Sequence, residues 1–256
     1  MNSSDIYAYL DTQSLGKNCF CFSALDSTST YIRNGWRDFP HGLLVTADEQ
    51  LSGRGRSGKS FFSPQGGLYF SLLLKEKKYI NDPLFTVKMS YAVCRAIDKL
   101  TASEQVKIKW VNDIYFGSRK LAGILCEAVG NGGHEGIIVG IGVNFTVDKA
   151  TVPAELRNKI GSLHDLTKKK LSKEQLCARI LNEIEAMYAA PLDPGDFIAA
   201  YRRRSAVLGK EINVLRDNLE LRAAALDIAP DGGLIVRYQS GITEKLTAGE
   251  ISIILT

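Results

Sequence analysis

Residues 50–71 read QLSGRGRSGKSFFSPQGGLYFS, and the rest of the chain is organised around them. The stretch holds five glycines, three cations (Arg54, Arg56, Lys59) and no acid. Glycine lets backbone N–H groups approach an anion closely, and the cations complete a clamp, so the stretch reads as a cradle for phosphate or carboxylate. Residues 53–60, GRGRSGKS, also match the P-loop pattern G-x-x-x-x-G-K-[ST]. A P-loop requires a helix to start at its Lys-Ser. Here Pro64 and Gly66-Gly67 follow, then the strand-like run LYFSLLL at 68–74. A helix cannot grow through that sequence, so the expectation is a loop between strands and not a P-loop NTPase.

Upstream, residues 18–25 read as a strand, and Asp26 and Ser27 are good caps for a short helix behind them. Residues 42–47, GLLVTA, form a buried-type strand. Downstream, residues 82–100 predict the clearest helix: Asp82 caps, Pro83 takes the first helical position, and Leu84, Val87, Tyr91, Cys94 and Ile97 make an apolar stripe. Residues 106–110 alternate as a strand that 114–116 extend. Residues 118–120 read as a turn, 121–129 as a strand, 130–136 as a turn cluster and 137–145 as a strand broken by glycines. Helices are expected over 153–159, 172–189 (with Ser172 and Gln175 as a capping box) and 195–204. From Gly209 onward five short strands follow, with a tight turn at Asp231-Gly232-Gly233, which implies a small β-barrel. Hairpins mixed with crossovers favour an α+β mixed sheet over a doubly wound parallel one.

Composition sets few limits. The chain has 256 residues, 45% hydrophobic and 23% charged, which is ordinary for a globular protein. A net charge of +4 is too small to argue for a polyanion partner. The five cysteines (19, 21, 94, 126, 177) include no C-x-x-C pair and read as buried thiols in a reducing compartment. Cys19 and Cys21 share a strand face. His134-Glu135-Gly136 has no second His at zincin spacing. The lysines at 168–170 read as a solvated surface. The N-terminus lacks a basic segment followed by a long apolar core. No apolar run approaches the ~18–20 residues a membrane helix needs, so the expectation is a cytoplasmic protein.

Four further motifs bear on chemistry. Asp26-Ser27-Thr28 puts small donors at a helix N-terminus, where a plain N-cap is the competing explanation. In KWVNDI at 109–114 a strand ends in Asn112-Asp113, an amide beside a carboxylate, although both are also turn residues. Lys120 is a movable charge suited to phosphate or a solvated hairpin charge, and Gly123 bares the strand beyond it. In GIGVNF at 140–145, Gly140 and Gly142 repeat the device and Asn144 offers a donor and an acceptor.

Together and in this order, DST at 26–28, Q-x-x-GRGR-x-G-K…SP-x-GGLYFS at 50–71, KW-x-ND at 109–113, K-x-x-GIL-x-E at 120–127 and GIG-x-N at 140–144 resemble the biotin protein ligases. These are the biotin–[acetyl-CoA carboxylase] ligase enzymes, one of which is a bifunctional ligase/repressor. The resemblance runs from about residue 20 to GEIS at 249–252. It implies a class II synthetase-like α+β catalytic domain over residues 1–206 and a C-terminal SH3-like β-barrel over 207–256. It also implies a two-step reaction. The carboxylate of biotin attacks the α-phosphate of ATP to give biotinyl-5′-AMP and pyrophosphate, and a lysine of a biotin carboxyl carrier protein then attacks the mixed anhydride. Acetyl-CoA carboxylase or another biotin-dependent carboxylase would supply that carrier.

On that resemblance Arg54 and Arg56 clamp the carboxylate and the adenylate phosphate, a task that suits planar multi-donor guanidiniums. Lys120 binds the same oxygens. Ser27, Thr28, Ser29 and Gln50 meet the ureido ring of biotin, with Gly55 beside them, while Gly123 and Gly140 leave room for its rings. Phe61, Asn112 and Asn144 serve adenine. Asp113 orients and deprotonates the acceptor lysine, whose ordinary pKa near ~10.4 leaves little neutral amine. Mg²⁺ neutralises the ATP phosphates, with ligands the sequence does not identify. The family pattern has Arg where this chain has Lys59 and Trp where it has Phe61; Phe stacks with a smaller face and no N–H. Twenty-five residues precede Asp26, too few for a helix-turn-helix domain after the first strand, so DNA is not an expected partner. Monomer and homodimer both remain open. The competing readings are a lipoate ligase of the same fold and a non-enzymatic biotin- or nucleotide-binding regulatory protein. Three cations interleaved with glycines, and not with aromatics, are thin for a nucleic-acid surface.

Overall fold

A computed structural model describes residues 1–130, 135–167, 169–216 and 219–254. The first sheet contains β1 (Cys19–Leu25), β2 (Leu44–Gln50), β3 (Leu68–Leu74), β4 (Val106–Lys109), β5 (Asp113–Phe116), β6 (Arg119–Val129) and β7 (Gly136–Val143). Their order is β1-β2-β3-β7-β6-β5-β4. Only β1 and β2 pair in parallel, joined by helix α2 (Thr28–Gly35). Every other neighbouring pair is antiparallel, so the sheet is mixed, as an α+β reading requires.

The central strand β3 is buried at all seven positions because both faces of the sheet are covered. Leu68, Phe70, Leu72 and Leu74 belong to the large core under helices α4 (Phe85–Thr101) and α6 (Lys173–Ala189). Leu73 points the other way and packs with Ile32 of α2, Val45 and Ile138. A short helix α1 (Ser3–Tyr7) lies against α6 on the first face, and α3 (Lys77–Ile80) and α5 (Leu163–Leu166) are single turns in the connections. Glu183 of α6 ties the helical layer together, accepting from Arg95 Nε at 2.9 Å and Lys99 Nζ at 2.5 Å.

Helix α7 (Pro194–Arg203) leads into a second, wholly antiparallel sheet. Its strands are β8 (Glu211–Arg216), β9 (Leu219–Ile228), β10 (Leu234–Tyr238), β11 (Thr243–Leu246) and β12 (Glu250–Ile253), in the order β11-β10-β9-β8-β12. All five expected strands are present. Gly232, at φ +81°, makes the tight turn between β9 and β10. The outer edge of β4 does not face solvent alone. Ile108 N donates to Arg204 O at 2.7 Å, and Ala206 N donates to Ile108 O at 2.8 Å, which satisfies an edge that would otherwise invite another strand. Among the described residues no helix is long and apolar enough to cross a membrane.

Four local expectations are corrected. Residues 114–116 do not extend β4. The chain reverses at 110–112 so that Lys109 pairs with Asp113 and Ile108 with Ile114, which buries both isoleucines on one face. Lys120 lies inside β6 and not in the turn, because Gly117, at φ +57°, makes the reversal earlier. Helix α4 starts at Phe85. Asp82 does not cap it but accepts Leu84 N (2.9 Å), Lys88 Nζ (2.7 Å) and Tyr188 Oη (2.6 Å). The helix expected over 153–159 is a three-residue 3₁₀ turn, Ala154–Leu156. At Ser172 half of the predicted box is in place, with its hydroxyl accepting Gln175 N at 3.0 Å. Residues 131–134 of the turn cluster, including His134, and Lys168 lie outside the described residues. Lys169 and Lys170 are exposed.

One buried polar contact joins the sheets directly: Trp110 Nε1 donates to Gly232 O at 2.9 Å from a side chain that is almost fully buried. Trp110→Phe leaves that carbonyl without its donor. A loss of about 1–3 kcal/mol is expected, read as a lower urea midpoint at unchanged m-value.

Candidate active site

The site begins as a patch of sheet without side chains. Along β7 the residues alternate, so Ile137, Val139, Ile141 and Val143 face the helical core while Ile138, Gly140 and Gly142 face the α2 side. Gly140 pairs with Ser71 of β3 and Leu125 of β6, and Gly142 pairs with Tyr69 and Gly123. Helix α2 covers one half of this face. The glycines leave the other half bare, and a cavity of about 460 Å³ opens over it.

The glycine-rich stretch folds over the cavity as a tight hairpin. Arg54 bridges to Ser60, Gly55 N donates to Lys59 O at 2.7 Å, and Phe61 N donates to Gly53 O at 2.8 Å. Ser57 and Gly58 turn the tip in left-handed conformations, φ +53° and +74°. No helix starts at Lys59-Ser60, so the P-loop geometry is excluded. The hairpin lays the Phe61 ring on the bare patch. A Cβ added to Gly142 would sit 2.5 Å from the ring, and one added to Gly123 would sit 3.0 Å from it.

At one end of the cavity is a hydroxyl and amide network. Gln50 Oε1 accepts Thr28 N at 2.9 Å and Thr28 Oγ1 at 3.1 Å, and Gln50 Nε2 donates to Ser63 Oγ at 3.0 Å. Ser71 Oγ joins Thr28 Oγ1 (2.7 Å) and Ser29 Oγ (2.9 Å). Ser27 caps α2 and also lines the cavity, so the cap and the ligand-facing readings of that motif hold together. The opposite end is cationic. Arg56 Nη1 donates to Asn112 Oδ1 at 3.1 Å, and Asn112 Nδ2 is anchored on Ile124 O at 2.8 Å. Lys120 Nζ lies 2.7 Å from Asp113 Oδ1 and 5.5 Å from the centre of the Phe61 ring. Burial holds the Lys109 ammonium below its ordinary pKa, against the attraction of Asp113.

Of the residues expected at the site, Ser27, Thr28, Ser29, Gln50, Arg54, Gly55, Arg56, Phe61, Asn112, Asp113, Lys120, Gly123 and Gly140 all line this cavity. Asn144 does not. It is nearly fully buried, and its Nδ2 donates to Lys120 O at 3.0 Å, so its amide is spent on holding the start of β6.

A second cavity of about 630 Å³ lies on the far side of Arg56, Phe61, Asn112, Asp113 and Lys120, which line both. Lys59, Lys109 and Trp110 close its other walls with Gly249 and with Glu250 and Ile251 of β12. Lys59 Nζ pairs with Glu250 Oε1.

Sequence reasoning assigned no role to two residues here. Ser71 is a fully buried hydroxyl in an otherwise apolar central strand, and that anomaly was its signal. Glu127 closes the K-x-x-GIL-x-E motif. Its Oε1 accepts from Arg54 Nη2 at 2.9 Å and Arg33 Nη2 at 3.0 Å, so one carboxylate holds two guanidiniums from different elements.

Comparison with known proteins agrees with this geometry. The family model described as "Biotin/lipoate A/B protein ligase family" matches residues 21–144, and "Biotin protein ligase C terminal domain" matches 207–253. The chain is 30% identical to the biotin–[acetyl-CoA-carboxylase] ligase of Paracoccus denitrificans over 224 residues, covering 81% of this chain and 88% of that protein. It is 29% identical to the bifunctional ligase/repressor BirA of Bacillus subtilis (strain 168), covering 99% of this chain and 79% of that one. Among solved structures it is similar to biotin protein ligase from Aquifex aeolicus in complex with biotin and ATP, at TM-score 0.78 and 26% identity, covering 94% of this chain and 100% of the other.

Glu127→Ala removes the carboxylate shared by Arg33 and Arg54. A stability loss of about 1–3 kcal/mol is expected. Arg54 should also react severalfold faster with phenylglyoxal, as followed by peptide mass.

Proposed function

The chain belongs to the biotin protein ligase family, and we propose that its two-lobed cavity joins biotin to the α-phosphate of ATP and then passes the biotinyl group to a lysine of a carrier protein. The observation that carries this reading is the shared wall. Arg56, Phe61, Asn112, Asp113 and Lys120 line both cavities, so ligands in the two lobes meet at these side chains.

The first lobe is the biotin site. Its hydroxyl and amide end, Thr28, Ser29 and Gln50, offers donors and acceptors to a cyclic urea, and Gly123 and Gly140 let Phe61 and Ser29 close in as walls for the fused rings. The carboxylate then points toward Arg54, Arg56 and Lys120. Bringing two anions together is the main obstacle to the first step, and fixed cations at the junction reduce it. A carboxylate oxygen bonds to the α-phosphorus while the bond from that phosphorus to the bridging β-phosphate oxygen breaks. Pyrophosphate leaves with the bonding electrons. Arg56 is held in place for this by Asn112, and Arg54 by Glu127.

The second lobe takes the nucleotide, with Phe61 as its stacking face and Asn112 as its polar contact. Asn144, which lies off the cavity, acts by fixing the backbone that carries Lys120. In the second step the acceptor lysine nitrogen attacks the acyl carbon, AMP leaves, and one proton leaves the nitrogen. Asp113 lies at the junction to take or steer that proton, once the anionic intermediate has drawn Lys120 away from it. Among the described residues no three acidic, His or Cys side chains are grouped to hold a metal. Mg²⁺ bound with the nucleotide would neutralise phosphate charge, and Asp113, the carboxylate that lines both cavities, is the side chain that would hold it. The carrier is a biotin-accepting domain of a carboxylase, and the ligase domain gives way to the tail at 206/207, where the tail family match begins.

Biotin-dependent exchange of pyrophosphate into ATP is the direct test. Arg56→Ala should lower it by roughly 10²–10³-fold. Unchanged exchange would remove Arg56 from the clamp, and exchange driven by lipoate but not biotin would replace the substrate. Restoring the larger ring of the family pattern with Phe61→Trp should lower KM for ATP severalfold and leave KM for biotin near its starting value.

A further inference from the structure

Cys19 and Cys21 sit on β1, away from both lobes of the cavity. Two residues apart on a strand, they project from the same face, and their sulfurs are 3.6 Å apart. Both are partly exposed, whereas Cys94 and Cys177 are fully buried. β1 is an edge strand whose only sheet neighbour is β2, so it can give on its free side. The groups influencing the pair are Tyr7 of α1, Thr46 and Asp48 of β2, the amino group of Met1, and Cys177 of α6. Met1 and Lys173 both bind the Asp48 carboxylate, which leaves that charge largely neutralised.

The pair is asymmetric. The hydrogen bond shared with Cys19 lowers the Cys21 thiol to about 6, with Thr46 and the Met1 amine helping against burial and Asp48. The same bond, with burial, pushes Cys19 up. Of the two thiols, Cys21 is the more readily ionised. A low-pKa, accessible cysteine beside a second thiol has the form of an oxidisable pair.

We propose that Cys21 and Cys19 are a reversible, peroxide-sensitive dithiol, with Cys21 the nucleophile and Cys19 the resolving thiol. The Cys21 sulfur attacks one oxygen of hydrogen peroxide; an S–O bond forms, the O–O bond breaks, and hydroxide leaves. Cys19 then loses its proton and attacks the Cys21 sulfur. An S–S bond forms, the S–O bond breaks, and the departing hydroxide takes up the proton as water. The dithiol loses two electrons and the peroxide gains them. Strand rise puts such α-carbons roughly 6.4–6.8 Å apart. Disulfides span about 4.4–6.8 Å, so this one forms at the long limit. A strained, partly exposed bridge of that kind is readily reduced again, which suits a switch and not a staple.

The test uses the intact chain under native conditions with hydrogen peroxide in small molar excess. The tryptic peptide 18–33 contains these two cysteines and no other. It should lose two hydrogens and regain them with dithiothreitol. In Cys19→Ser the oxidation should stop at a sulfenic acid that dimedone traps on Cys21, and alkylation of Cys21 by iodoacetamide at pH 7 should slow about tenfold. In Cys21→Ser no dimedone adduct should form on Cys19. Both variants should keep wild-type biotin-dependent exchange, which shows that they fold. Peptide 18–33 staying reduced while Cys126 oxidises would overturn the proposal. So would trapping on Cys19 in the second variant with none on Cys21 in the first.

Discussion

A β-sheet that shows no side chains over part of one face cannot fill its own interior there, and this protein depends on that vacancy. Gly123, Gly140 and Gly142 come together because β6 and β7 pair in one register, with Gly123 opposite Gly142 and Leu125 opposite Gly140. A slip of β7 by one residue would turn Ile141 toward the α2 side and present Gly140 and Gly142 to the helical core. The same register that buries Val139, Ile141 and Val143 therefore opens the cavity. Core and site are two faces of one pairing.

Charge is the second constraint. Arg54, Arg56 and Lys120 converge on the bare patch, and three cations so close would repel without partners. Two have a carboxylate partner, Glu127 for Arg54 and Asp113 for Lys120, while the neutral amide of Asn112 holds Arg56 in place. Glu127 and Asp113 also belong to the strands flanking the glycines, so the elements that leave room for a ligand also carry the groups that aim the cations. Asn144 works one layer back, through the backbone of Lys120.

Most of the architecture was legible because it rests on periodicity. The apolar run of β3, the stripe of α4 and the five short strands of the tail are patterns that a sequence states directly. What escaped were reversals and boundaries. Asn112 and Asp113 looked like the end of a strand with more strand to follow, and only pairing across the turn shows that Ile114 must return beside Ile108. Asp82 looked like a cap, but its carboxylate is claimed by Tyr188 of a helix about a hundred residues away, as tertiary contacts override local preference. At the site, residues that line the cavity were recognisable by motif. Glu127, Ser71 and Asn144 fall in the same motifs, but their positioning roles were not legible, because a motif does not say which distant group a side chain will bond.

The ion pair between Lys59 and Glu250 joins residues 191 positions apart. On a ribosome adding about 5–20 residues per second, the glycine-rich hairpin emerges roughly 10–40 s before the strand that carries its partner. The hairpin, β3 and the glycine strands can assemble during that interval, but the wall of the second cavity supplied by Gly249, Glu250 and Ile251 cannot. A nascent chain thus forms the surface of the first cavity early and completes the second only when β12 has been translated.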